Sequence, residues 1–447
     1  MRAGKPMWTI QNVVKTIVGL VIMLHAQSPF AEERQITFSP KNHCLDNNDN
    51  FSQDGRFLCY DTRGSVEPAI GNCRTIEKVE IATGKETILY QTTEFEQGDT
   101  PYPGAGAASY SPVEDTVIFI HGPVKEEVAV RGTYAKNNRT GAEVPGDGSG
   151  KITWVDKRDI ETSRDTIPGA HRGGTHRHEY SRDGKRIGFT YDDFLLPQYD
   201  RTIAYMEKNP KAPQGATHYF AILVPVVPKD EAKPGDIIKA AGDFWVDPKG
   251  TLRAFIGTVR EEDGSFQDSL FTVEIPDTVD ITTADSGSAT RFPSPPKGLK
   301  IHRLTHSWAN GVVRGSPTGG RIAYYGKASN GSTQIFVIPT DGSDTDPDSA
   351  KHPVQATDLA AEKISGLRWH PSGDCLLGCS NAGIFVATVK PGNEFGSVSF
   401  IIPQGSGPER IDLVVSPDGK TLAYTRIVEM NGSGKRYAQI FITDFTT

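Results

Sequence analysis

Short apolar runs and polar turn residues alternate along most of the chain, and one arrangement returns seven times. A Ser-Pro-Asp-Gly-like turn leads into an apolar strand at Ser52-Gln-Asp-Gly-Arg-Phe-Leu-Cys-Tyr60, Ser111-Pro-Val-Glu-Asp-Thr-Val-Ile-Phe119 and Ser181-Arg-Asp-Gly-Lys-Arg-Ile-Gly-Phe189. It recurs from Asp247, Ser316, His370 and Ser416, with starts 59, 70, 66, 69, 54 and 46 residues apart. Pro presets φ, Ser or Asp caps the turn and Gly accepts positive φ, so each copy reads as a hairpin. An apolar residue usually precedes the turn (Phe51, Tyr110, Tyr180, Val246, Trp369, Val415), as the last inward position of the incoming strand. A further strand follows each hairpin, for example Gln334–Ile338 and Gln439–Thr443. The same class includes Tyr219–Leu223 and a weaker copy at Ile152–Val155.

Each unit is then a four-stranded antiparallel sheet with two apolar faces. Seven sheets arranged radially bury face against face, which predicts an all-β, seven-bladed β-propeller. The chain stops soon after the third strand of the last unit. Gln35–Ser39 is therefore expected to pair with Gln439–Thr443, completing the last blade and removing a free sheet edge.

Ahead of this, Arg2, Lys5 and Lys15 precede the apolar run Thr16–Leu24, too short to span a bilayer. This predicts a signal peptide over residues 1–28, cleaved after Ala26-Gln-Ser28, and one propeller domain over residues 29–447. The mature chain is expected in the periplasm or secreted, as a monomer without stable membrane insertion. Net charge is −7 and no basic stripe is present, so nucleic acid is not an expected partner. Of five cysteines, Cys44 and Cys73 are the most plausible disulfide. Cys59, Cys375 and Cys379 are expected as buried thiols, and about 13 Å of strand keeps the last two apart.

Arg172-Gly-Gly-Thr-His-Arg-His178, Gly188-Phe-Thr-Tyr-Asp-Asp193 and Val117-Ile-Phe-Ile-His-Gly-Pro123 resemble segments of the YidR-like bacterial family. The Ser-Pro-Asp-Gly turns resemble those of TolB-type, WD40-like propellers. The resemblance implies the fold over the whole mature chain and adds little about chemistry. A more distant likeness is to oligogalacturonate lyases, seven-bladed propellers that hold a divalent metal with histidines near the axis. Only an H-x-H pair, His176 and His178, matches that site here.

If all seven turns lie on one face, the other connections lie opposite, and the chemically capable residues fall there. In a regular strand His176 and His178 point the same way, about 6–7 Å apart, which suits manganese or zinc. His171, His121 or His306 would complete the set. Arg172 suits a carboxylate, Tyr191 and Asp192 a polar ligand or a base, and Trp308 a sugar ring. His306 stands beside Trp308 as a further ligand contact. Packing, turn and salt-bridge roles are open for every one of these. No G-x-S-x-G, H-E-x-x-H or P-loop pattern occurs. Two readings follow: an exported propeller binding a small-molecule, oligosaccharide or protein ligand at the funnel opposite the turns, or a metal-dependent lyase or hydrolase acting on acidic oligosaccharides.

Overall fold

Seven separate antiparallel sheets account for the strands, in a computed structural model that describes residues 32–46, 48–64, 69–93, 103–360, 363–405, 407–430 and 432–446. The expected signal segment lies outside these residues. Among the described residues no helix is long and apolar enough to cross a membrane.

Apolar cores fill every gap between successive sheets, each drawing on two neighbouring blades. The first blade meets the second through Leu89, Tyr110 and Phe119, and the third meets the fourth through Tyr205, Tyr219 and Phe255. The ring closes where Leu58 and Tyr60 of the first blade pack on Ala423 and Ile440 of the last. This sharing of faces is what a single blade cannot provide alone.

The turns show why the repeated residues are needed. Ser52 Oγ donates to Asp54 Oδ1 (2.7 Å) and accepts from Phe57 N (3.0 Å). Ser181 with Asp183 and Ser416 with Asp418 repeat this arrangement. Blade 4 departs from it. Its turn is one residue longer, with Val246 N donating to Leu252 O, and Asp247 Oδ1 accepts from Leu252 N at 2.7 Å. Trp245, not Val246, therefore takes the position before the turn.

Two expected third strands are displaced outward. In blade 2 the helix Lys125–Arg131 is inserted after the second strand; the third strand is Thr140–Pro145, and Thr153–Trp154 is the outermost. Thr140–Pro145 has no apolar run, which hid it in the sequence. In blade 3 the third strand is Thr202–Lys208 and His218–Ile222 is the outermost. That outer strand looks like an inner one because the preceding connection covers it: His218 N donates to Val155 O and Phe220 N to Gly169 O.

Each innermost strand carries an irregularity at the same height. In blade 3, His176 pairs with Thr190 and Glu179 with Gly188, so three steps face two. The same three-against-two break falls in blades 2, 4, 6 and 7, blade 5 has four steps facing two, and in blade 1 the excursion from Cys44 to Phe51 takes its place. At these breaks one residue has positive φ: Asp46, Ala107, Arg177, Gly242, Gly311, Gly366 and Asp412. Such a bulge reverses which side the following residues face.

Closure by the N-terminal strand is as expected, two residues earlier than read. Glu33–Gln35 pairs with Phe441–Thr443, and Ile36 N continues the ladder to Ile440 O. Glu33 fastens it: its carboxylate accepts from Arg410 Nε (2.7 Å), Tyr424 OH (2.6 Å) and Arg426 Nη1. The disulfide is not formed. Cys44 and Cys73 are both free, and Cys73 Sγ instead sits 3.6 Å from Thr62 Oγ1 and 3.7 Å from Thr75 O. Cys59, Cys375 and Cys379 are buried thiols.

Glu33→Ala should destabilise the propeller by about 2 kcal/mol, because it strands two guanidinium groups in a half-buried site. Chemical denaturation checks this, with Glu33→Gln losing less. Removing residues 29–40 should abolish the cooperative transition; an unchanged midpoint in either variant would show that the strand is not a closing element.

Candidate functional site

Because the bulge reorients each inner strand, the residues before the seven turns come together around the axis. Phe51, Tyr110, Tyr180, Trp245, Gly315, Trp369 and Val415 all line one cavity of about 380 Å³. It opens among the turns themselves, with Gln53, Pro112, Pro317, Pro371 and Pro417 at its walls. Five of these seven equivalent positions are aromatic. The indole N–H groups are occupied, Trp245 Nε1 donating to Glu179 O (3.2 Å) and Trp369 Nε1 to Arg314 O (2.9 Å). Tyr180 OH donates to Glu143 Oε1 at 2.6 Å. By contrast, Tyr110 OH and Asn50 Oδ1, both buried on the cavity wall, have no hydrogen-bond partner among the described residues.

Arginines cross the axis between blades that are not neighbours. Arg182 stands where most other turns have Pro, and it donates to the carbonyls of Ser316 and Pro317 in blade 5. From blade 6, Arg368 reaches Asn48 O and Asp49 Oδ1 (3.1 Å) in blade 1. From blade 3, Arg177 Nε donates to Asn48 Oδ1 at 3.3 Å. Arg314 Nε donates to Leu367 O at 3.0 Å, and its guanidinium lies 4.6 Å from the Phe244 ring centre. Burial pushes the Glu179 carboxyl up to about 7 despite Arg253 beside it. Burial, reinforced by Asp46, likewise pushes Asp412 up to about 7.

The residues singled out from the sequence do not converge on one open site. The bulge at Arg177 (φ 61°) separates His176 from His178, so the pair does not face one side as a regular strand would have it. His176 stays half-buried, near enough to Asp46 to help lower that carboxyl. His178 is enclosed, with Nε2 3.0 Å from Thr175 Oγ1 and its ring against Phe189. Thr175 Oγ1 donates to Asp156 Oδ2 (2.7 Å), and His171 Nε2 lies 3.3 Å from the same oxygen. This buried chain joins blades 2 and 3.

His121 is also enclosed, held by Tyr90 OH (2.9 Å) and packed edge-on to Trp154. Burial lowers the pKa of both His121 and His178 to about 4. His306 is a surface residue paired with Asp344 (3.0 Å), and Trp308 lies under Lys327. The Arg172 guanidinium donates to Thr166 Oγ1 and to the carbonyls of Glu161 (2.6 Å) and Arg164 (2.7 Å). It staples its own loop. Tyr191 OH donates to Asp193 Oδ2 (2.6 Å), and Asp192 accepts from Arg201 Nε (2.9 Å).

A divalent metal does not fit this arrangement: among the described residues no group of three or more His, Cys, Asp or Glu side chains is placed to hold one. Sequence alone does not reveal the axial cavity, because the residues before the turns read as the last inward positions of their strands.

Asp412→Asn keeps the shape and tolerates the left-handed backbone. The folded pKa of Asp412 is raised above its unfolded value, so its contribution to stability is present at low pH and lost as pH rises through about 7. Asp412→Asn should therefore melt higher than wild type at pH 8.5, with the difference shrinking as pH falls toward 4. Equal differences at both ends of that range would contradict the assignment. His178→Ala should lower stability by about 2–3 kcal/mol, as a cavity-forming change in a packed site, measured by thermal unfolding.

Residues 104–215, from the inner strand of blade 2 to just past the third strand of blade 3, match the family model described as Protein of unknown function (DUF3748). The chain is 29% identical over 427 residues to the uncharacterized protein YidR of Escherichia coli (strain K12), covering 88% of this chain and 94% of that one. Among solved structures, the β-propeller domain of the Trilobed protease from Pyrococcus furiosus superposes with a TM-score of 0.49 at 8% identity, covering 93% of this chain and 96% of that chain. TolB from Acinetobacter baumannii superposes with a TM-score of 0.40 at 9% identity, covering 92% and 86%. These structural likenesses say nothing of ligand or activity. Similar to YidR along nearly its whole length and built of seven antiparallel sheets, the chain is a seven-bladed β-propeller that resembles YidR.

Proposed function

We propose that this protein is an exported binding propeller that takes a ligand or a segment of a protein partner into the axial cavity on the turn face. The observation that carries the reading is the wall itself: five aromatic residues at seven equivalent positions around one axial cavity. A concave, mostly apolar site with a few convergent polar groups is what small ligands and chain ends require. The face differs from the one expected from the sequence, where the polar candidates are engaged with one another or with backbone. The lyase or hydrolase alternative required histidines meeting at an open point, and here His171 and His178 meet only in the enclosed chain through Thr175 and Asp156, while His121 and His306 are held elsewhere.

The test is a ligand screen followed by melting temperature and tryptophan fluorescence, since Trp245 and Trp369 line the cavity. Ligands should quench the fluorescence and lose affinity at least tenfold in Val415→Phe, which narrows the cavity, but not in Trp308→Ala on the opposite side. The reverse pattern would move the site to the opposite face. Export has its own check. Sequencing the N-terminus of the mature protein should give Pro29, which retains the closing strand from Glu33 onward.

A further inference from the structure

The cavity among the turns is a blind well. Asn48, on its wall, is reached by Arg177 of blade 3 through its side-chain oxygen and by Arg368 of blade 6 through its carbonyl. Blades 3 and 6 stand across the ring from each other, so their meeting at Asn48 closes the axis below the turns. The polar groups around the well are spent on the fold. Trp245, Trp369 and Tyr180 donate to protein acceptors. Arg182 donates to the carbonyls of Ser316 and Pro317, Arg314 to Leu367 O, and Arg368 to Asn48 O and Asp49. Arg314 and Arg368 make further interactions besides these. Tyr110 OH and Asn50 Oδ1 are covered and offer no surface to the well. What remains is aromatic wall, rimmed by Pro112, Pro317, Pro371 and Pro417. A charged group entering here would leave its water without gaining a partner, unless a tie between blades broke. A peptide segment would bring backbone N–H and C=O groups into the same surroundings. A ring system brings neither, and its faces and edges suit aromatic walls.

From a blind well with aromatic walls and engaged polar groups, and resting on the cavity being the ligand site, we infer that the ligand is a small uncharged molecule built on fused aromatic rings. It enters from the turn face, lies against Phe51, Tyr180, Trp245 and Trp369, and stops at the ties that meet at Asn48. The volume of about 380 Å³ is roughly two and a half times that of a cavity that takes one benzene ring, which leaves room for two or three fused rings.

Calorimetric titration of the full mature chain with naphthylethanol, naphthylacetate and naphthylethylammonium tests the inference, because the three share one ring body and differ in charge. The alcohol should bind at least tenfold more tightly than either ion, about 1.4 kcal/mol, and Val415→Phe should weaken it at least tenfold. Val415 also packs between blades, so Gln53→Trp at the exposed rim is the second variant, expected to weaken the alcohol several-fold. Either ion binding as tightly as the alcohol, or none of the three binding, overturns the inference. An ion that binds tightly and is lost in Val415→Phe overturns it and leaves the cavity reading standing. Alcohol binding that neither variant changes overturns both. An acetylated glycyl-naphthylalanyl-glycine amide that binds more tightly than the alcohol would replace the small molecule with a chain segment, and weaker binding supports the small molecule.

Discussion

One backbone constraint runs through the whole molecule: each innermost strand must pass one residue through positive φ at the same height. Glycine takes this conformation at Gly242, Gly311 and Gly366, where a β-carbon would also crowd its neighbours. Asp46, Ala107, Arg177 and Asp412 take it at a cost of about 1–2 kcal/mol each. Something must hold them there. At Ala107 it is Asp61, whose Oδ2 accepts from the Ala107 amide at 2.8 Å. At Arg177 it is the reach of the side chain to Asn48. The bulge aims the residues before each turn at the axis. It also places His176 and His178 apart, so the same feature makes the cavity and unmakes the expected metal pair.

Blade-to-blade burial closes the ring, and cross-ties steady it. Apolar cores act only between neighbours, so each blade restrains the next. Arg177, Arg182 and Arg368 connect blades further apart, and Glu33 draws Arg410, Arg426 and Tyr424 onto the closing strand. Buried guanidinium groups are costly without partners. Here their donors serve backbone carbonyls as well as carboxylates, which explains how several survive near one axis.

Much of the architecture was legible because it rests on local chemistry. Ser52 with Asp54 makes a turn whatever surrounds it, and seven such turns specify seven blades. What depended on non-local packing was not legible. Thr140–Pro145 has no apolar run because its neighbours, not its own side chains, make it a strand. His218–Ile222 looks like an inner strand because a distant loop covers it. The extra residue in the blade 4 turn moved Trp245 into the place assigned to Val246. The histidines misled for a related reason: alternation along a strand holds only until a bulge, and Arg177 gives no outward sign that it occupies one.

The residues before the turns pack between blades and also face the axis. Gly315 and Val415 occupy that position in two blades, so the propeller does not require a ring there. Phe51, Tyr110, Tyr180, Trp245 and Trp369 each belong to an apolar core between two blades and also line one axial cavity. The buried histidines show the opposite balance. His121, His171 and His178 are enclosed by aromatic rings and hydrogen-bonded to near neighbours, and at neutral pH His121 and His178 carry no charge. A group in that state can neither meet solvent nor hold a proton for a substrate. What the fold gathers at the axis instead is a set of aromatic faces and of guanidinium groups whose donors serve the carbonyls and carboxylates of facing blades.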